Sequence, residues 1–160
     1  MSLVSTKWLF NNRENVKIVD CSWHLPNEKR NSLEEYNSEH IPNAIYFDID
    51  KNSDQNSDLP HMLPSKKEWE VIVSSLGISN DDKIIIYDNS DLISSCRLWY
   101  SFLYFGHNKE LVYVLNGGLE KWNKEKLVTT NIKTDLVKTK YSAIVNNEMV
   151  KNLDEINDNI

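Results

Sequence analysis

The hydrophobic pattern of this chain consists of short β-branched runs that alternate with longer segments carrying one apolar face. Residues 83–87 are typical of a buried strand, and residues 97–105, followed by Gly106, have the pattern of a helix. The same criteria predict strands over 16–21, 44–47 and 111–115, and helices over 5–11, 33–38, 65–76 and 118–123. This alternation predicts an α/β fold in which a mostly parallel sheet carries helices on both faces.

Polar residues mark the ends of two predicted helices. Ser5 can cap the first of them, because its hydroxyl can accept a free backbone N–H of the first turn. Ser65 and Glu68 form the Ser-x-x-Glu capping box, and Gly77 ends the helix that this box opens. Residues 50–59 are rich in Asn, Asp and Ser and are predicted to form a loop.

The C-terminal region has a different pattern. Residues 127–138 are polar and lack periodicity, which indicates a linker or an extended surface strap. A strand over 141–145 and a helix capped by Asn147 are predicted to follow. Their apolar residues are spaced to be buried against a sheet: Tyr141, Ile144, Val145, Met149, Val150, Leu153 and Ile156. Either these residues begin a further domain, or they pack back on the domain before them.

Composition and charge restrict the classes of function. A chain of 160 residues with 40% hydrophobic residues is long enough for one packed domain. The net charge of −6 argues against nucleic acid and anionic membranes as partners, and no apolar run is long enough to span a membrane. Cys21 and Cys96 lack CxxC and metal-ligand spacing, and the histidines are scattered. We therefore expect no metal, no cofactor and a reducing compartment, most simply the cytoplasm.

The loop over 88–95 is the most informative part of the chain for chemistry. It joins a strand end to a helix N-terminus, where backbone N–H groups and the helix dipole can hold an anion or a thiolate. The loop begins with Asp88 and contains no cysteine, so it has the architecture for covalent chemistry without the reacting atom. We expect Arg97, in the first turn of the helix, to hold the carboxylates of Asp88 and Asp91.

A series of short motifs in fixed order carries a family resemblance. The motifs are Val19-Asp20-Cys21-Ser22-Trp23, Arg30 with Glu35-Tyr36, His40-Ile41-Pro42-Asn43-Ala44, Phe47-Asp48-Ile49-Asp50, Leu59-Pro60-His61-Met62-Leu63-Pro64, Tyr87-Asp88, Arg97-Leu98-Trp99, Phe105-Gly106-His107, and Leu115-Asn116-Gly117-Gly118-Leu119 with Trp122. From about Val4 to Trp122, the chain closely resembles the N-terminal rhodanese domain of the two-domain thiosulfate and 3-mercaptopyruvate sulfurtransferases.

The resemblance implies a role for the whole chain. In that family only the second domain holds the cysteine that becomes a persulfide, and the first has an aspartate at the matching position, as Asp88 is here. The chain would be the non-catalytic N-terminal half of an enzyme that moves sulfane sulfur from 3-mercaptopyruvate or thiosulfate to a thiol or cyanide. A rhodanese-like domain is then expected over 1–126, and a linker with the truncated start of a second over 127–160. The alternative is a free-standing inactive module that binds a protein partner.

The resemblance also singles out three residues. Asp50 and His61 match positions that, in mercaptopyruvate-using members, face the second domain's active site and help to polarise a serine; otherwise Asp50 caps a turn and His61 fills a gap. Arg30 matches an arginine near the substrate entrance, although Leu33 replaces a second basic residue, which favours a plain surface salt bridge. Cys96 lies at a helix N-terminus, but the family's reactive cysteine belongs where Asp88 stands.

Overall fold

The computed structural model describes residues 3–151 and 153–158, and within them the strands form one five-stranded sheet in which all pairings are parallel. The strands are β1 (Leu3–Val4), β2 (Lys17–Asp20), β3 (Ala44–Tyr46), β4 (Ile84–Tyr87) and β5 (Val112–Leu115), in the spatial order β1-β5-β4-β2-β3. Four strands agree with the predicted ones within two residues at each end. β1 was not predicted, because two residues are too few to show alternation.

Six α-helices lie in the described ranges. They are α1 (Thr6–Asn12), α2 (Ser32–Ser38), α3 (Lys66–Ser75), α4 (Ser94–Tyr104), α5 (Gly118–Lys124) and α6 (Leu153–Asn157). Short 3-10 helices cover Arg13–Asn15, Pro26–Glu28, Lys109–Leu111 and Asn147–Met149. The capping box at α3 is confirmed, since the Ser65 N–H donates to the Glu68 carboxylate at 2.8 Å and the Glu68 N–H donates to the Ser65 hydroxyl at 3.3 Å.

Alternate residues of β4 pack on opposite faces of the sheet. Ile84 and Ile86 belong to a core cluster that includes residues of α3 and α4. Ile85 and Tyr87 belong to a second cluster that includes residues of α1, α2 and α5. Each isoleucine is fully buried, which contributes about 1.5–3 kcal/mol per side chain. The predicted α/β architecture, with helices on both faces of a parallel sheet, is therefore confirmed.

The predicted strand over 141–145 is wrong. This segment has no regular secondary structure, yet Tyr141 and Ala143 are buried in the cluster of α3 and α4. The Ile144 N–H donates to the carbonyl of Phe105 at 3.0 Å, so the segment bonds to the end of α4 instead of to a sheet. The alternating apolar pattern is satisfied by packing on helices. The tail therefore packs back on the domain as far as this segment.

The region after residue 145 also differs from the prediction. The expected helix capped by Asn147 is present only in part: Asn147–Met149 form a 3-10 helix capped by the Asn146 side chain, and the α-helix α6 begins at Leu153. Ile144 and Leu153 are 76% and 71% exposed, so only part of the tail's apolar surface is buried. The expected boundary at residue 126 and the second domain beyond it stay predictions.

Candidate functional site

The Asp88 carboxylate occupies the anion cradle at the start of α4. Its Oδ2 accepts the backbone N–H of Ser95 at 2.6 Å and lies 3.5 Å from the Ser94 hydroxyl. Ile93 precedes α4 in the left-handed conformation, with φ +53°, and supplies no side-chain cap. The chain therefore uses its own carboxylate to satisfy a free N–H group that could otherwise bind an external anion.

A close approach of α5 fixes the backbone of Asp88. The Leu119 N–H donates to the Asp88 carbonyl at 3.0 Å. Gly118 adopts φ +55°, and a Cβ atom built on it would lie 2.5 Å from the same carbonyl oxygen. Only glycine permits this contact without displacement. The Gly117-Gly118 pair thus serves the strand-to-helix turn beside the loop.

A cavity of about 530 Å³ opens in front of this loop, and most of its charged lining residues are acidic. Its lining includes Asp88, Asp91, Glu120, Cys96 and Arg30. Burial raises the pKa of the Cys96 thiol, and the charge of Asp88 raises it further. A thiol with a raised pKa is mostly protonated at neutral pH, which makes Cys96 a poor nucleophile in this cavity.

Cys21 and Arg30 are both engaged within the protein. Cys21 is fully buried with its Sγ 3.6 Å from the Tyr87 carbonyl, and burial raises the pKa of its thiol well above the ordinary value. Arg30 binds Glu35 through two hydrogen bonds of 2.7 Å and donates to the Asn89 carbonyl at 3.0 Å. The surface ion pair of Arg30 is thus present, and its role in substrate binding stays a prediction.

Asp50 and His61 lie in contact on one face of the domain. His61 Nε2 is 2.7 Å from Asp50 Oδ1, and the Asp50 and His61 side chains are 64% and 30% exposed. Because an ionised carboxylate can only accept, the neutral form of this imidazole carries its proton on Nε2 and its lone pair on Nδ1. The structure thus brings together the two residues that the resemblance singled out.

Arg97 contacts this pair instead of the Asp88 loop. Its Nη2 donates to the His61 carbonyl at 2.6 Å, so the predicted contacts with Asp88 and Asp91 are wrong. The carboxylate of Asp88 is satisfied by the backbone at the start of α4, and the guanidinium instead reaches the 50–64 loop. His61 has φ +56°, a conformation that few residues other than glycine adopt. The Arg97 hydrogen bond holds this backbone in place.

Trp23 was given no role by the sequence. Its Nε1 lies 3.1 Å from both carboxylate oxygens of Asp50, and its ring meets the His61 ring edge-on with centroids 4.8 Å apart. Trp23 and Asp50 are 27 positions apart in the sequence, so no local signal could predict this contact.

Membrane-spanning helices and metal-binding clusters are both absent from the described part of the chain. No helix there combines the length and the apolar character needed to cross a lipid bilayer. Among the same residues, His, Cys, Asp and Glu side chains do not assemble into any group of three or more that could hold a metal ion.

Comparison with known proteins gives consistent matches. Residues 5–125 match the model of the rhodanese-like domain. The chain is 46% identical over 122 residues to thiosulfate/3-mercaptopyruvate sulfurtransferase 1, mitochondrial, of Arabidopsis thaliana, covering 75% of this chain and 32% of that protein. It is 34% identical over 167 residues to the 3-mercaptopyruvate sulfurtransferase of Mus musculus, covering 99% of this chain and 56% of that protein.

A solved structure supports the same assignment of the fold. SseA from Escherichia coli, a 3-mercaptopyruvate sulfotransferase of rhodanese fold, superimposes with a TM-score of 0.85 at 32% identity, covering 98% of this chain and 60% of SseA. The chain thus spans only about half of the mouse protein and less of the Arabidopsis one. Because the Arabidopsis relative is named as mitochondrial, the predicted cytoplasmic location stays a prediction.

Proposed function

The chain belongs to the rhodanese-like domain family, and on this premise we propose that it is the non-catalytic N-terminal half of a sulfurtransferase. The whole protein moves sulfane sulfur from 3-mercaptopyruvate or thiosulfate to a thiol or cyanide. The sulfur is carried as a persulfide on a cysteine of a second rhodanese domain. The partners of this chain are therefore the second domain, a small-molecule sulfur donor and a thiol acceptor.

The hydrogen bond from the Ser95 N–H to the Asp88 carboxylate is the observation that carries this proposal. A persulfide requires a thiolate that attacks the donor sulfur, and a carboxylate at this position cannot form one. The acidic residues of the same cavity also repel donor molecules, which are anions. This loop therefore serves as a structural brace, and the chemistry takes place in the other half of the protein.

The role proposed for Asp50 and His61 is to act on the active site of the second domain. Asp50 holds the imidazole by its Nε2–H, which leaves Nδ1 to exchange a proton with a group outside this chain. Both side chains are accessible, as this role requires. The nearby exposed side chains of Leu59 and Met62, 63% and 45% exposed, provide apolar surface for the second domain to cover.

Sulfur-transfer assays on the 160-residue chain and on the whole protein test the proposal. Thiocyanate formation from cyanide and thiosulfate, and pyruvate release from 3-mercaptopyruvate, are expected for the whole protein and not for the chain alone. A whole protein inactive with both donors would instead favour the inactive binding module. If the chain alone shows turnover that persists in the double variant Cys21→Ser/Cys96→Ser, the proposal that the second domain performs the chemistry is contradicted.

The Asp50 and His61 variants test the second part of the proposal. His61→Asn in the whole protein should lower kcat for 3-mercaptopyruvate by about a hundredfold, as expected for loss of a general acid or base. Lys7→Ala, at an exposed position in α1, is the surface control and should leave kcat unchanged. Equal kcat for His61→Asn and the control would remove the Asp50–His61 pair from the mechanism.

A further inference from the structure

The Asp50 carboxylate is held in one orientation although most of its surface is exposed. It lies in the loop between β3 and α3, where an exposed side chain is ordinarily free to rotate. Two donors fix it in the described part of the chain: the His61 imidazole at 2.7 Å and the Trp23 indole, whose Nε1 lies 3.1 Å from each carboxylate oxygen. The Gln55 amide donates to the backbone carbonyls of Asp50 and Ser53 and not to the Asp50 carboxylate.

Trp23 is anchored independently of that loop. It follows β2 by three residues and packs against the buried cluster formed with α3 and α4. Its indole N–H, placed between the two oxygens, restricts rotation of the carboxylate. Its ring also packs against the His61 imidazole in a T-shaped arrangement. One rigid side chain therefore orients both members of the pair.

We infer that Trp23 is a positioning residue that fixes Asp50, and through it holds His61 in the Nε2–H tautomer with Nδ1 presented to the reacting group. This inference rests on the proposed function of the Asp50–His61 pair. The geometry has a definite consequence: the nitrogen that faces the carboxylate is Nε2, so the nitrogen available for proton exchange is Nδ1. Without the indole N–H, the carboxylate can rotate and the imidazole is free to adopt either neutral tautomer.

The first test reads the tautomer of His61 in the 160-residue chain itself. Imidazole 15N chemical shifts distinguish the Nε2–H form from the Nδ1–H form. The wild-type chain should show the Nε2–H form as the dominant neutral species. Trp23→Phe, which keeps an aromatic ring and removes the N–H, should lose that dominance.

Two further variants separate a specific effect of the Trp23 N–H on His61 from a general change in the domain. Trp99→Phe removes an indole N–H that donates to the Val112 carbonyl at 3.2 Å, elsewhere in the same domain, and should leave the His61 shifts unchanged.

Asp50→Asn changes an exposed side chain, so it should fold and lose the Nε2–H preference even if Trp23→Phe folds poorly. In the Asp50→Asn background, Trp23→Phe should produce no further change. An unchanged tautomer in both Trp23→Phe and Asp50→Asn would overturn the inference.

The second test measures turnover of the whole protein. Trp23→Phe should lower kcat for 3-mercaptopyruvate by about tenfold, as removal of an outer hydrogen-bond partner of a functional histidine typically does, with little change in KM and an altered pH profile. Trp99→Phe should leave kcat and the pH profile unchanged.

The two parts can fail separately. If His61→Asn leaves kcat unchanged while Trp23→Phe still shifts the tautomer, the proposed function of the pair fails. If His61→Asn abolishes turnover while Trp23→Phe changes neither tautomer nor kcat, the positioning role of Trp23 fails.

Discussion

The carboxylate of Asp88 accepts the backbone N–H of Ser95 at 2.6 Å, so the anion cradle of this domain is filled by the chain itself. The contact satisfies one of the free N–H groups at the start of α4, where Ile93 offers no side-chain cap. A carboxylate in this place stabilises the helix, and it cannot form the persulfide that a cysteine could form.

Loss of this carboxylate should weaken the domain. Asp88→Ala should lower the free energy of unfolding by about 1 kcal/mol, as loss of a helix N-terminal acceptor does, measured by urea denaturation. Asp91→Ala, an exposed carboxylate of the same loop, is the matched control and should change stability by less than about 0.5 kcal/mol. Equal changes in the free energy of unfolding for the two substitutions would contradict the structural role assigned to Asp88.

The tail should contribute to stability through its buried residues only. Tyr141 is 3% exposed and stacks on His107 with ring planes 2° apart, whereas Ile144, three residues later, is 76% exposed. Tyr141→Ala should lower the free energy of unfolding by about 3–5 kcal/mol, like other large aromatic truncations in cores. Ile144→Ala should change it by less than about 0.5 kcal/mol. A small effect of Tyr141→Ala in urea denaturation would mean that the tail is not part of the folded domain.

The buried Asp20 should give the domain a distinctive pH dependence. Burial raises the pKa of its carboxyl, and the charge of Asp88 adds to the rise, although hydrogen bonds from Ser22 oppose it. The folded state thus holds this proton more tightly than the unfolded chain. The stability contribution of Asp20 is therefore fully present below the unfolded pKa of about 4 and is lost as the pH rises through the raised folded value.

Asp20→Asn tests directly whether the ionised Asp20 carboxylate destabilises the folded domain at neutral pH. The amide stands in for the neutral carboxyl, so the variant should have a higher free energy of unfolding than wild type at pH 7, and this gain should shrink towards pH 4. Asp91→Asn, at an exposed position, should show no comparable gain at pH 7. Urea denaturation at several pH values provides the measurement. A variant less stable than wild type at pH 7 would show that the ionised carboxylate is favourable where it is buried.

Local signals in the sequence predicted most of the fold. The isoleucine run of β4 and the capping box of α3 depend on residues close in sequence, and both were correct. The segment over 141–145 has the alternation of a strand but packs on α3 and α4, and alternation does not distinguish a sheet from a helical surface as the partner. Its assignment as a strand was therefore wrong.

The candidate site was predicted in part for the same physical reason. Asp50 and His61 were singled out by the motifs around them, and the structure places them 2.7 Å apart. The predicted partner of Arg97 was wrong and Trp23 was missed, because both contacts join segments that are distant in sequence. Such contacts depend on the three-dimensional arrangement of β2, the 50–64 loop and α4, which periodicity does not determine.

The location of the persulfide is the most direct measurement of the central claim. The whole protein is incubated with 3-mercaptopyruvate without an acceptor, digested, and examined by mass spectrometry for peptides heavier by one sulfur atom. The added sulfur is expected on a cysteine outside residues 1–160, with Cys21 and Cys96 unmodified. Sulfur carried on Cys96 or Cys21, lost together with activity when that cysteine is replaced by serine, would contradict the assignment of this chain as the non-catalytic half.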